Sequence, residues 1–131
     1  MTFRNLVLSI SLVVFLSCND RQSLPMGSTR RPFNSTLWLA PHSSAWREGG
    51  ISIREEMLAD LVSSILPGKT RSEIESNLGP SLKTDYFSSI PKDLIYYLGP
   101  ERGSFINIDS EWLLIWFDAE GNFKKYALYN D

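Results

Sequence analysis

The sequence predicts an α+β fold in which two short helices precede a three-stranded antiparallel sheet. Apolar residues recur at helical intervals in residues 53–66 and again in residues 71–78. After Pro80 the apolar pattern changes to that of strands, in residues 93–98, 112–117 and 123–129. A chain of 131 residues with 43% hydrophobic content has material for one small domain, which we place at residues 51–131.

Both predicted helices carry start and stop signals. A capping box, in which two side chains accept hydrogen bonds from each other's backbone N–H groups, is predicted at Ser52 with Glu55 and at Thr70 with Glu73. Pro67-Gly68 ends the first helix, and Gly79-Pro80 ends the second. The helices are therefore predicted at residues 53–66 and 71–78.

Residues 112–117 are predicted as the central strand because they have no polar face and must be covered on both sides. A turn at residues 118–122 joins them to the last strand. Side chains alternate along a strand, so one face carries Trp112, Leu114 and Trp116, and the other carries Leu113, Ile115 and Phe117. The two helices can cover only one face. The other face must be closed by a binding partner or by aromatic residues that precede the domain, namely Phe33, Trp38 and Trp46.

Composition excludes several classes of function. The chain has 13 Lys and Arg against 15 Asp and Glu, so it has no excess of positive charge with which to bind nucleic acid. One Cys and one His cannot supply the four ligands of a structural zinc site. Residues 67–70, Pro-Gly-Lys-Thr, end like a phosphate-binding loop, but Ser63 stands where that loop needs glycine. We therefore predict no nucleotide binding.

No set of residues in the sequence forms a recognisable catalytic centre. No nucleophile is paired with a base, and no ligands cluster at metal-binding spacing. Four acids flank the predicted strand ends, where solvated carboxylates are common, and we interpret them as surface groups: Asp109, Glu111, Asp118 and Glu120. The prediction is a protein that is not an enzyme, with no catalytic residues, no metal and no cofactor.

Residues 1–17 have the pattern of a secretory signal, with Arg4 ahead of an apolar run in residues 6–16 that is too short to span a bilayer. The following residue is the only cysteine, Cys18, and Phe-Leu-Ser-Cys resembles the lipobox of bacterial lipoproteins. In that family the cysteine is lipidated and becomes the first mature residue. Asn19 is not the Asp that retains lipoproteins at the inner membrane, so we expect the outer membrane, facing the periplasm. The alternative is an unmodified cysteine in an apolar helix.

Residues 18–50 are predicted as a lipid-anchored tether whose second half packs onto the domain. Pro, Gly and Ser are frequent and no periodicity is sustained, which is typical of a linker. The second half nevertheless carries Trp38 and Trp46, which a free linker has no reason to expose. The loop at residues 99–111 is long for a hairpin and contains Arg102 and Phe105, so it is either packed or a contact loop.

Two segments resemble a known family. Residues 68–74, Gly-Lys-Thr-Arg-Ser-Glu-Ile, followed by Leu78-Gly79-Pro80, are similar to the signature of the SmpA/OmlA family, the BamE-like outer-membrane assembly lipoproteins. Residues 113–118 with Gly121 resemble the family's closing hairpin. The resemblance covers about residues 53–129 and implies a helix-helix-strand-strand-strand module of the β-lactamase-inhibitor-protein type that is lipid-anchored, acts through its surface and catalyses no reaction. Residues 33–46 and 99–111 go beyond the family's minimal pattern, and Pro80 follows Gly79 directly.

The leading hypothesis is a non-enzymatic envelope lipoprotein that binds the membrane through its lipid and binds another envelope protein, in support of outer-membrane protein assembly or envelope integrity. The alternative is an inhibitor or ligand-binding module whose loop at residues 99–111 enters a partner's cleft. The candidate partner contacts are Trp38, Trp46, Arg102, Phe105, Trp112 and Trp116.

Overall fold

The computed structural model describes residues 23–102 and 109–131, so Cys18 and the predicted signal lie outside the described residues. The helical elements are α1 (Ser35–Leu39), α2 (Ile53–Glu56), α3 (Leu58–Asp60), a π-helical turn (Leu61–Ile65) and α4 (Arg71–Leu78). The strands β1 (Leu94–Pro100), β2 (Ser110–Phe117) and β3 (Phe123–Asn130) form an antiparallel sheet with β2 in the centre. The α+β class, the antiparallel sheet and the central strand are thus confirmed.

The helix boundaries follow from the local sequence signals. Both predicted capping boxes are present, at Ser52 with Glu55 and at Thr70 with Glu73. Helix α4 has the predicted bounds, because Gly79 adopts a φ of 83° and ends it. The predicted first helix is instead divided: α2 ends at Glu56 with Met57 as its C-terminal cap, and the chain continues through α3 into the π-helical turn. There the Leu66 N–H bonds to the Leu61 carbonyl at 2.9 Å.

The main core lies between the helices and one face of the sheet. Leu113 and Ile115 of β2 pack there against Leu58, Leu61 and Ile74, which are all fully buried. The N-terminal part of the described chain also enters this core, through Leu24, Phe33, Leu37 and Trp38. The expected packing of Phe33 and Trp38 onto the domain is therefore observed. Since the packing begins near residue 24, the expected boundary between tether and domain at residue 51 is not a boundary of the core.

The second face of the sheet is covered by the segment that connects α4 to β1. Ile95, Trp112 and Leu114 form a small buried cluster there, with Phe87 and Ile90 packed against it. We call residues 80–92 the strap. The expectation that Phe33, Trp38 and Trp46 or a partner must close this face is wrong, because Phe33 and Trp38 pack on the opposite face and Trp46 is 51% exposed.

Within the described part of the chain, no helix combines the length and the apolar character that crossing a bilayer requires.

Candidate protein-binding site

An apolar groove opens where the C-terminal ends of α1 and α4 approach β1 and the strap. It encloses about 490 Å³. Its apolar lining includes Leu39, Leu78, Pro80, Leu82, Tyr97 and Trp112, and Arg54 also borders it. Leu39 is 50% exposed and Leu82 is 46% exposed, so large aliphatic side chains stand open to solvent on its rim. Half-exposed aliphatic side chains beside an apolar groove make this surface a candidate interaction site.

Close contacts at the end of α4 fix one wall of the groove. The Trp38 indole N–H donates to the Leu78 carbonyl at 3.0 Å, and the Tyr96 hydroxyl donates to the Gly79 carbonyl at 2.9 Å. These bonds satisfy two carbonyls that the helix end would otherwise leave without donor partners. A Cβ atom on Gly79 would lie 3.0 Å from Cδ2 of Leu39, so α1 and α4 meet with little room to spare. These contacts define the position of this wall.

The strap forms the opposite wall by pairing with the outer edge of β1. The Leu82 N–H donates to the Ile95 carbonyl at 2.9 Å, and the Ile95 N–H donates to Oγ of Ser81 at 2.9 Å. These bonds hold the Leu82 backbone in place and so fix the position from which its exposed side chain extends. They also occupy an edge of the sheet that would otherwise be open to pairing with another chain.

Aromatic rings extend the groove along the second face of the sheet. The ring centroids of Tyr97 and Trp112 are 5.0 Å apart, and those of Tyr86 and Trp112 are 5.2 Å apart. Tyr86 is 54% exposed, whereas the indole N–H of Trp112 is bonded to Asp131 at 3.2 Å. Tyrosine and tryptophan are the residues most often responsible for binding energy in protein interfaces.

Arg54 places a positive charge beside this apolar surface. Its guanidinium donates to the carbonyls of Trp38 and Tyr97 and to Oγ of Ser43, and its Cζ lies 4.5 Å from the centroid of the Trp38 ring. Burial lowers the pKa of Arg54 from its usual value. Among the described residues, no carboxylate forms an ion pair with this guanidinium. The charged guanidinium of Arg54 is therefore surrounded by neutral hydrogen-bond acceptors and by the face of the Trp38 ring.

The structure brings only some of the predicted contact residues to a surface. Trp112 borders the groove, although it is only 5% exposed, and Trp46 is half-exposed elsewhere. Trp116 is partly buried on the second face of the sheet, with Nζ of Lys125 4.9 Å from its ring centroid. Trp38 is corrected from a partner contact to a core residue, because it is fully buried. Phe105 lies outside the described residues.

Arg102 is also corrected, since it belongs to a buried charged cluster rather than to an exposed loop. Its Nε lies 3.3 Å from Glu55 and 3.1 Å from Glu111, and the side chains of all three are at most 5% exposed. Its Nη1 donates to the carbonyls of Pro25 and Met26 and to Oγ of Ser28. The cluster thus ties the N-terminal segment to α2 and the sheet.

Burial changes the protonation of the charged cluster. Desolvation, with a hydrogen bond to the Glu111 side chain as the next cause, raises the pKa of Glu55 to about 8. The neutral form of Glu55 is therefore favoured at pH 7.

The remaining acids do not assemble into a site. Oδ1 of Asp118 accepts the N–H groups of Glu120 and Asn122 and so stabilises the hairpin turn. The interpretation of Glu111 as a surface group is wrong, because its side chain is 5% exposed and lies in the buried charged cluster. Within residues 23–102 and 109–131, no group of three or more His, Cys, Asp or Glu is placed to hold a metal ion.

Two elements of the groove were not predicted from the sequence. The strap was missed because its residues show neither helical nor strand periodicity, although Leu82, Phe87 and Ile90 are apolar residues that signal packing. The place of Arg54 at the groove could not be predicted from the sequence, because an arginine in the first turn of a helix is most often solvated.

Comparisons of the chain with protein-family models, with curated proteins and with solved structures found no match.

Proposed function

We propose that this protein is a lipid-anchored protein of the cell envelope that binds another protein through the apolar groove and catalyses no reaction. The observation that carries the proposal is the groove itself, with Leu39 and Leu82 half-exposed on its rim beside the ring pair of Tyr97 and Trp112. Burying such side chains in a partner is favourable by about 25 cal/mol for each Å² of apolar area removed from water.

Three sequence features support the envelope part of the proposal. The apolar run in residues 6–16, the lone Cys18 and Asn19 favour export, lipidation and placement at the outer membrane, facing the periplasm. The similarity of residues 68–80 and 113–121 to the SmpA/OmlA family supports a role in outer-membrane protein assembly or envelope integrity. We also propose that the domain is a variant of the β-lactamase-inhibitor-protein type of module, to which α1 and the strap are additions.

Site-specific photocrosslinking in cells tests the proposal. A photoreactive phenylalanine analogue is placed at Leu82 or Leu39 on the groove rim, and at Ser63 as the control. Ser63 is exposed and does not line the groove. We expect the two rim positions to give a discrete adduct with another protein in the membrane fraction, and Ser63 to give none. No adduct from either rim position, or the same adduct from Ser63, would contradict binding through the groove.

A further inference from the structure

We propose that the groove binds a segment of the partner protein in which an Asp or Glu lies next to an aliphatic or aromatic residue. The acidic side chain pairs with Arg54, and its apolar neighbour packs against Leu82, Tyr97 and Trp112. This inference rests on the proposed function, since it specifies the chemistry of the partner at the same groove.

The charge of Arg54 is the first argument. A partly buried arginine and a buried one both pair with carboxylates: Arg31 lies 3.4 Å from Glu56, and Arg102 contacts Glu55 and Glu111. Arg54 bonds to neutral oxygens, and no described carboxylate pairs with it. A partly desolvated charge without a counter-ion is unfavourable, and a carboxylate that enters the groove would relieve that cost through charge-assisted hydrogen bonds.

The geometry of the guanidinium allows such a bond. An arginine has five N–H donors in one plane. Nη1 of Arg54 donates to the Tyr97 carbonyl at 2.8 Å and Nη2 donates to the Trp38 carbonyl at 3.1 Å, which uses one N–H of each nitrogen. The second N–H of each remains for a ligand. Arg54 also borders the groove, so the proposed carboxylate is assigned to these two donors.

The apolar lining is the second argument, because it requires that the acid have an apolar neighbour. Leu82 and the rings of Tyr97 and Trp112 provide a surface on which a small anion alone would make no favourable contact. The rims at Leu39 and Leu82 are both open to solvent, so a chain can pass across the groove. We therefore assign the carboxylate to a side chain within a segment rather than to a free chain end.

Peptide selection tests the chemistry directly. The full chain, held in detergent micelles, is used to select from phage that display random dodecapeptides joined to the coat protein, so that no free carboxyl terminus is presented. We expect enrichment of Asp or Glu next to Leu, Ile, Phe or Trp. A selected peptide with its acid changed to the amide should bind about tenfold more weakly, measured by fluorescence anisotropy at low salt.

A matched pair of variants assigns the charge effect to the groove. Leu82→Glu and Leu82→Lys remove the same apolar contact but add opposite charges, and neither alters the backbone N–H that bonds to Ile95. The acidic peptide should bind Leu82→Glu about tenfold more weakly than it binds Leu82→Lys. Thermal unfolding of both variants checks that they fold, and Leu39→Glu with Leu39→Lys replaces the pair if either does not.

The possible outcomes separate this inference from the proposed function. Selection of apolar peptides without acids, no selection of any peptide, or equal affinity of the Glu and Lys variants would overturn the inference. If rim crosslinking succeeds at the same time, the proposed function stands. Sedimentation measures whether the chain associates with itself. Self-association that is lost in Leu82→Glu would overturn the inference, because the groove would then bind a second copy of the chain.

Discussion

Glu55 is fully buried, and its carboxyl contacts the same arginine, Arg102, as the carboxyl of Glu111. Its Oε1 accepts the Ser52 N–H at 2.8 Å, and its Oε2 lies 3.3 Å from Arg102. One side chain therefore caps α2 and anchors the arginine that holds residues 25–28. Because the neutral form is favoured in this position, the stability of the fold should depend on pH.

Glu55→Gln should remove a pH dependence that the natural chain shows. The pKa of Glu55 is about 8 in the folded state and about 4.5 when exposed, so the folded state holds a proton that the unfolded state releases. The free energy of unfolding should fall as the pH rises from about 4.5 to about 8, by up to about 1.4 kcal/mol per pH unit, and level off above. Urea unfolding across this range measures the slope.

Glutamine keeps the oxygen that accepts the Ser52 N–H and has no proton to lose, so the variant should show a smaller slope and higher relative stability at pH 8. The groups that face Glu55, Arg102 and Glu111, are present in both proteins and serve as the internal control. Equal slopes for the two proteins would show that Glu55 is not the titrating group.

Thr70→Ala tests the cap of α4. Oγ1 of Thr70 accepts the Glu73 N–H at 3.3 Å, and the Glu73 carboxylate accepts the Thr70 N–H at 3.1 Å. Alanine removes the first of these bonds and should lower the free energy of unfolding by about 1 kcal/mol. Thr70→Ser keeps the hydroxyl and should lie close to the natural protein. A loss of the same size in both variants would mean that the methyl group, and not the cap, is responsible.

At the level of elements, helix α1 belongs to the core, although the sequence suggested a tether region that only packs onto the domain. Trp38 fills the space between α4 and β1, with its ring 6.2 Å from that of Tyr96, whereas Trp46 lies beyond α1 and is half-exposed. Two tryptophans of one segment thus have opposite roles.

Trp38→Ala and Trp46→Ala should separate these roles. The first creates a cavity and removes the hydrogen bond to the Leu78 carbonyl, so it should reduce stability by about 3–5 kcal/mol. The second removes a half-exposed side chain and should change stability by less than about 0.5 kcal/mol. Thermal and denaturant unfolding provide the comparison. Similar losses from both substitutions would contradict the position of Trp46 outside the core.

The elements that could be predicted from the sequence are those with local chemical signals. Helix α4 follows from the Thr70 cap and the Gly79 end, and the hairpin follows from the polar turn after Phe117. The division of the first helix at Met57 could not be predicted, because α2, α3 and the π-helical turn are each too short to set an apolar period of their own. The strap could not be predicted, because its position depends on long-range pairing with Ile95 and on Phe87, which adopts a φ of 58°.

The candidate site was predicted only in part for a related reason. Trp112 was identified from strand alternation, which is a local property. Burial of Arg102 and Trp38 depends on segments far apart in sequence, such as residues 25–28 for Arg102 and Leu78 for Trp38. The sequence indicates that Arg102 and Trp38 make specific contacts, but which residues they contact is determined only by the tertiary fold.

At the level of the whole molecule, the packed domain begins close to the predicted lipid anchor. Oγ of Ser28 donates to the Pro25 carbonyl at 2.6 Å, and a Cβ atom on Gly27 would lie 2.5 Å from Cδ1 of Ile51, so this segment fits closely against the domain. Residues 18–23 span at most about 20 Å when fully extended. If Cys18 carries lipid, the domain is therefore held near the membrane surface, where we expect its groove to meet a partner.

Cys18→Ser tests the anchor on which this geometry depends. The natural chain should incorporate an alkyne-labelled fatty acid and sediment with the membrane fraction, because each buried CH2 of a lipid chain contributes about 0.8 kcal/mol of membrane affinity. The variant should lose both properties while its thermal unfolding stays unchanged, since Cys18 precedes the described domain.

The double variant Cys18→Ser with Ser23→Cys is the matched control for that experiment. It keeps one thiol in the chain but moves it away from the end of the apolar run, where a lipoprotein signal is recognised. It should remain unlabelled, because processing depends on the position of the cysteine and not on the presence of a thiol. Fatty-acid labelling of Cys18→Ser equal to that of the natural chain would contradict lipidation at Cys18, and labelling of the double variant would show acylation without recognition of the signal.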